Sequence, residues 1–299
     1  MHTPPGEGGQ PEGIYKPVSF GFILLFGSFF TYQILGGTVT FLITGGEGES
    51  LAPNIQRLIL MAGQIIFLAL PVYGFAYIQQ WRVRDLIPLR PADPVAIGML
   101  SLAVLALQLP MQILVQVQDS FLRGVLPGQF LELWDDYSVV LDEAYSTLIF
   151  ADSFPELLLV LTAAAATPAL CEEFVFRGAV QSSFGRALSP WKTVLLTALF
   201  FAIFHLNPVT FIPLFMLGIV FGYATLKSGS IVPSIVAHFA NNALAILILY
   251  TLGDSVAELG LKEAEAFELS LPLLFAGLMS LAAFAGFMHI FRSRLSPTD

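Results

Sequence analysis

Apolar stretches of about twenty residues recur along this chain, and each is long enough to cross a bilayer as one helix. They fall roughly at residues 17–44, 56–79, 95–117, 154–183, 190–206, 208–226, 230–251 and 269–291. Only 12% of the residues are charged, 56% are hydrophobic, and the mean hydropathy is +0.77. An average soluble domain carries about 25% charged residues, so too few polar groups remain to cover a water-soluble globule. The expected fold class is an all-α polytopic membrane protein, with about eight transmembrane helices around an intramembrane polar cavity. A formal charge of -9 speaks against a nucleic-acid partner.

A single domain is expected over residues 15–292. It is flanked by a disordered tail at 1–14, rich in Pro and Gly, and a short tail at 293–299. The first segment lacks the basic start of a removable signal, and the apolar run after it is too long for one. The break between the fifth and sixth spans, at Asn207-Pro208, could be a kink or an end.

Loop charges test the topology. With the N-terminus in the cytoplasm, Lys16, Arg82, Arg84, Arg90, Arg186, Lys192, Lys227, Arg292 and Arg294 lie on the cytoplasmic side. The opposite side holds Arg57, Arg123 and Lys262 among acids such as Glu47, Glu49, Asp135, Asp136, Asp142, Glu143, Glu263 and Glu265. That is the positive-inside bias. It implies both termini in the cytoplasm and the plasma (inner) membrane as the location. Residues 118–153 are too polar to span and are read as interfacial helix, either a surface connection or a lid.

Against this apolar background Glu172, Glu173 and Arg177 stand out in Cys171-Glu-Glu-Phe-Val-Phe-Arg177. Ionisable residues at bilayer depth are costly and usually face a partner or a wet cavity. Glu173 and Arg177 are four residues apart with the acid first, the favourable order for a helical ion pair. Glu172 is rotated by about 100° from Glu173 and is free to face elsewhere. His205 shares a face with Phe201, and His238 shares one with Asn242. At 1.5 Å per residue, Glu172, His205 and His238 lie roughly 20, 22 and 12 Å from the nearest cytoplasmic helix ends. All three depths fall inside a hydrocarbon core of about 30 Å.

A buried carboxylate beside two imidazoles can do general acid–base work on water. Glu172, His205 and His238 could also bind a divalent metal such as zinc; no cofactor is otherwise called for. His238 and Asn242 could instead donate hydrogen bonds to an oxyanion. The lone Cys171 has no matching base in its own helix and reads as a small hydrophobe. Asn241 reads as interhelical glue, and Gly218-x-x-x-Gly222 as a close-packing face.

Glu172-Glu173-x-x-x-Arg177, Phe201-x-x-x-His205 and His238-x-x-x-Asn242, on separate helices within about 168–250, resemble the three motifs of a known family. It is the CAAX-protease and bacteriocin-processing family of intramembrane endopeptidases, which includes the Ras-converting type. The resemblance implies hydrolysis of a peptide bond in a membrane-associated protein or peptide, lipidated in some members. It further implies that Glu172 and His205 activate water and that His238 and Asn242 hold the oxyanion. Glu173, Arg177 and Phe201 would then support the scaffold. Other classes compatible with the same buried cluster are a proton-coupled transporter and a non-proteolytic scaffold or immunity factor.

Overall fold

Proline opens most of the helices. Pro17, Pro53, Pro94 and Pro190 each take the first helical position, where the missing N–H costs nothing and the fixed φ suits the helix. The computed structural model describes residues 13–45, 51–258 and 270–295. The tail over 1–12, the end over 296–299 and the loop charges Glu47, Glu49, Lys262, Glu263 and Glu265 lie outside them, as do the side chains of Asp142 and Glu143. The described residues form helices and loops without a strand: α1 (Pro17–Thr44), α2 (Pro53–Gln79), α3 (Pro94–Val125), α4 (Gly128–Ile149), α5 (Phe154–Gly185), α6 (Pro190–Phe204), α7 (Phe211–Ser228), α8 (Val232–Glu258) and α9 (Leu271–Arg294). Outward-facing positions are apolar too, among them Leu42, Ile43 and Leu278, as expected where lipid is the solvent.

Seven of these helices are long and apolar enough to cross a membrane, and the chain is an integral multi-pass membrane protein. The eighth expected span is α6, which stops after 15 residues at Phe204, about 22 Å of rise. Leu206 then takes φ 51°, and Pro208 disfavours a helical residue before it. Asn207 Oδ1 accepts from the N–H groups of Val209 and Thr210 at 3.0 and 3.2 Å, organising the turn into α7. The break at Asn207-Pro208 is thus an end rather than a kink. The third span runs on to Val125 instead of stopping near 117. Within it Pro110 has no N–H to give the turn before it, and the Ala106 carbonyl there accepts from the Ser280 hydroxyl of α9 at 2.5 Å.

Two apolar cores flank the centre. One joins Phe20, Leu68, Val72, Phe176 and Phe201 from α1, α2, α5 and α6. The other joins Leu100, Val104, Leu217, Phe221 and Phe291 from α3, α7 and α9. The Gly218/Gly222 face does bring helices close: a Cβ on Gly218 would lie 2.9 Å from Ala198 Cα of α6.

Helix α4 settles the reading of 118–153, because Tyr145, Leu148 and Ile149 form part of the wall of the central cavity. Its C-terminal end is held by Arg57 of α2, which is almost wholly buried. The guanidinium donates to the carbonyls of Leu148 at 2.9 Å, Thr147 at 3.1 Å and Phe150, and it pairs with Glu156 of α5. Carbonyls that a helix leaves unpaired at its end are thereby satisfied, with a cation at the negative end of the dipole.

Candidate active site

The polar groups of the candidate site meet where the two cores come together. Within α5, the backbone widens from α-helical to i→i+5 bonding over Phe174–Val180, directly after the two glutamates. The same widening recurs over Phe30–Gly36, Gln64–Ala69 and Leu161–Ala166, so it does not by itself mark the site. Glu173 and Arg177 are completely buried, with Arg177 Nη1 donating to Glu173 Oε1 at 2.8 Å. The guanidinium also donates to the Gly218 carbonyl at 3.3 Å. It lies 4.3 Å from the centre of the Phe201 ring and 5.3 Å from that of Phe221. A buried pair needs such additional contacts to offset its desolvation.

His238 belongs to this network as well. Its Nδ1 lies 3.0 Å from Glu173 Oε1, and its ring stacks on Phe221. Since the acceptor is a carboxylate, Nδ1 carries the proton, which leaves Nε2 without one in the neutral imidazole. Spacing within each helix could not show this contact, because its partners are 65 residues apart.

Glu172 faces the other way, into a cavity of about 500 Å³ also lined by His205, His238 and Asn242. Glu172 Oε2 and His205 Nε2 are 3.6 Å apart, and Oε2 has no hydrogen-bond partner. His205 Nδ1 lies 2.7 Å from the Phe201 carbonyl, an acceptor only, so Nδ1 donates and Nε2 is free to accept. Phe201 packs edge-on against His205 at 4.6 Å and against His238 at 6.1 Å, holding both rings from behind.

Asn242 is fixed by a defect in the facing helix. Pro168 has no N–H to give the turn before it, and the Ala164 carbonyl in that turn accepts from Asn242 Nδ2 at 3.4 Å. Asn242 Oδ1 accepts from Asn241 Nδ2 at 3.0 Å, and Asn241 Oδ1 accepts from Gln108 of α3 at 2.6 Å. Asn241 therefore ties α8 to α3, as glue between helices. One N–H of Asn242 remains for a ligand. Cys171 packs in an apolar core and is absent from the cavity wall.

The loop that follows His205 is strained. Leu206 is left-handed at φ 51° without being glycine, a conformation that costs on the order of 1–3 kcal/mol and persists only where surroundings impose it. Sequence reading missed Tyr145, Gln33, Gln64 and Tyr32 as cavity residues. Their polarity inside apolar helices was the available signal for the two glutamines.

Among the described residues no group of three His, Cys, Asp or Glu side chains is placed to hold an ion. His238 Nδ1 donates to Glu173, which leaves Nε2 turned to the cavity, and the closest approach of two such groups lining the cavity is that of Glu172 and His205.

A family model described as type II CAAX prenyl endopeptidase, Rce1-like, matches residues 154–244, a span that contains every site residue named above from Glu172 to Asn242. No curated protein and no solved structure matches the chain.

Proposed function

We propose, from the premise that residues 154–244 carry an Rce1-like CAAX endopeptidase domain, that Glu172 and His205 activate water for hydrolysis of a peptide bond. The observation that carries this reading is their 3.6 Å approach across a shared cavity, with one carboxylate oxygen unpaired. Glu172 accepts a proton from the water, whose oxygen attacks the carbonyl carbon. His205 Nε2, left free by the Nδ1 bond to Phe201, accepts from the same water and orients it. When the C–N bond breaks, Glu172 returns its proton to the departing nitrogen.

The oxyanion is held first by the free N–H of Asn242. A neutral His238 cannot donate from Nε2; it does so only as imidazolium, with Glu173 as the counter-charge already in place. Glu173, Arg177 and Phe201 act as scaffold. The substrate is a membrane-associated protein or peptide. No step of this reading is routed through a metal.

Hydrolysis of a reporter peptide in detergent or nanodiscs tests the assignment. Glu172→Ala and His205→Ala are expected to lose at least about a hundredfold in kcat, while Cys171→Ser keeps full activity. Cleavage should survive a chelator. Chelator inactivation reversed by zinc would overturn the metal-free mechanism, and proton-coupled flux into liposomes without any cleavage would overturn the protease reading altogether.

A further inference from the structure

We propose that the α3–α4 hairpin positions His205 by clamping the loop that follows it, with Tyr137 and Gln118 as positioning residues. This rests on His205 acting at the site as set out above. Three observations meet at the loop over residues 205–210. Tyr137 Oη donates to the Leu206 carbonyl at 2.5 Å. Gln118 Nε2 donates to the carbonyls of Val209 and Pro208 at 3.1 and 3.3 Å. Tyr145, eight residues after Tyr137 and so on the same face of α4, lies beside the Asn207 side chain.

The loop needs such a clamp. Leu206 holds a backbone conformation that L side chains rarely adopt, and its side chain is half-exposed, so no pocket of its own locks the turn. Released, the loop would relax and carry His205 with it, because the histidine is the last residue before the left-handed turn. The bond from its Nδ1 to the Phe201 carbonyl and the edge-on Phe201 ring would then be left to restrain the imidazole. The two helices of the clamp are tied to each other. Trp134 Nε1 donates to Asp119, Arg123 bridges Asp119 and Asp135 between the two helices, and Arg57 pins the far end of α4.

Two readouts on the full chain in nanodiscs test this: peptide cleavage, and the 15N spectrum of the imidazoles with the His205 signals assigned through His205→Gln. Tyr137→Phe removes only a hydroxyl and Gln118→Leu only an amide, so neither should unfold the protein. Each is expected to lower kcat roughly tenfold with KM within about twofold, since a small misplacement of a catalytic group can cost up to a hundredfold. The His205 signals should move while those of His238 stay. Unchanged kcat in a cleaving wild type overturns the proposal, as does equal movement of both histidines, which is general loosening. If the wild type cleaves no peptide, the proteolytic reading fails by itself. The spectrum then decides the clamp, and unmoved His205 signals overturn it.

Discussion

Glu172 and Glu173 are neighbours in sequence with opposite fates, and substitution should separate them. Glu173→Gln leaves Arg177 buried without its counter-charge, which typically costs about 3–5 kcal/mol. Thermal or denaturant unfolding in detergent should show that loss. Glu172→Gln removes a carboxylate that faces the cavity and balances no buried guanidinium, so its melting temperature should stay at or above the wild-type value while cleavage disappears. Equal destabilisation by both would show that Glu172 is structural. This division was legible before any coordinates, because a rotation of about 100° per residue turns adjacent side chains apart. The bond from His238 to Glu173 was not legible, since no local rule relates residues on α5 and α8. Arg57 was misjudged for a similar reason. Counted as a loop charge, it is almost fully buried, because helix α4 ends beside it and supplies carbonyls to its guanidinium.

At the scale of elements, the approach of α6 and α7 decides where His205 stands relative to Glu172. A Cβ on Gly218 would meet backbone, at 2.9 Å from Ala198 Cα, whereas one on Gly178 would meet the Cδ1 end of Ile87 at 2.5 Å. A methyl tip can rotate away and a backbone cannot. Gly218→Ala should therefore cost about 1–3 kcal/mol as overpacking and lower activity, and Gly178→Ala should be the milder change in both assays. Indistinguishable effects would mean that the helix contact adjusts freely. The Gly-x-x-x-Gly spacing made this contact readable, and proline at the first helical position marks the starts of α1, α2, α3 and α6. The early end of α6 was harder, because a left-handed leucine carries no sequence signature comparable to glycine. Arg57 acts at this scale too. Arg57→Met should speed amide hydrogen exchange in the last turn of α4, and unaltered protection there would show that α4 holds itself.

For the molecule as a whole, the short α6 decides the parity of the crossings and with it the sidedness of the two ends. Seven crossings would put the two ends on opposite sides, whereas the eight expected from sequence, with α6 counted, put them on the same side. In a Cys171→Ser background, Arg84→Cys should react with an impermeant thiol reagent from the cytoplasmic face and Asp152→Cys from the opposite face. The reverse pattern would invert the orientation drawn from loop charge. What sequence could not supply at this scale was the role of α4, whose amphipathic run is equally suited to a surface or to a cavity wall. The bond between Ala164 and Asn242 carries a last consequence for anyone engineering this protein. Replacing Pro168 with alanine would restore a donor to the preceding turn and so strengthen α5 as a helix, but that new N–H would compete with Asn242 for the carbonyl that seats it. Thermostability and turnover would then move in opposite directions: a flaw in one helix is the fixed point of another's working group.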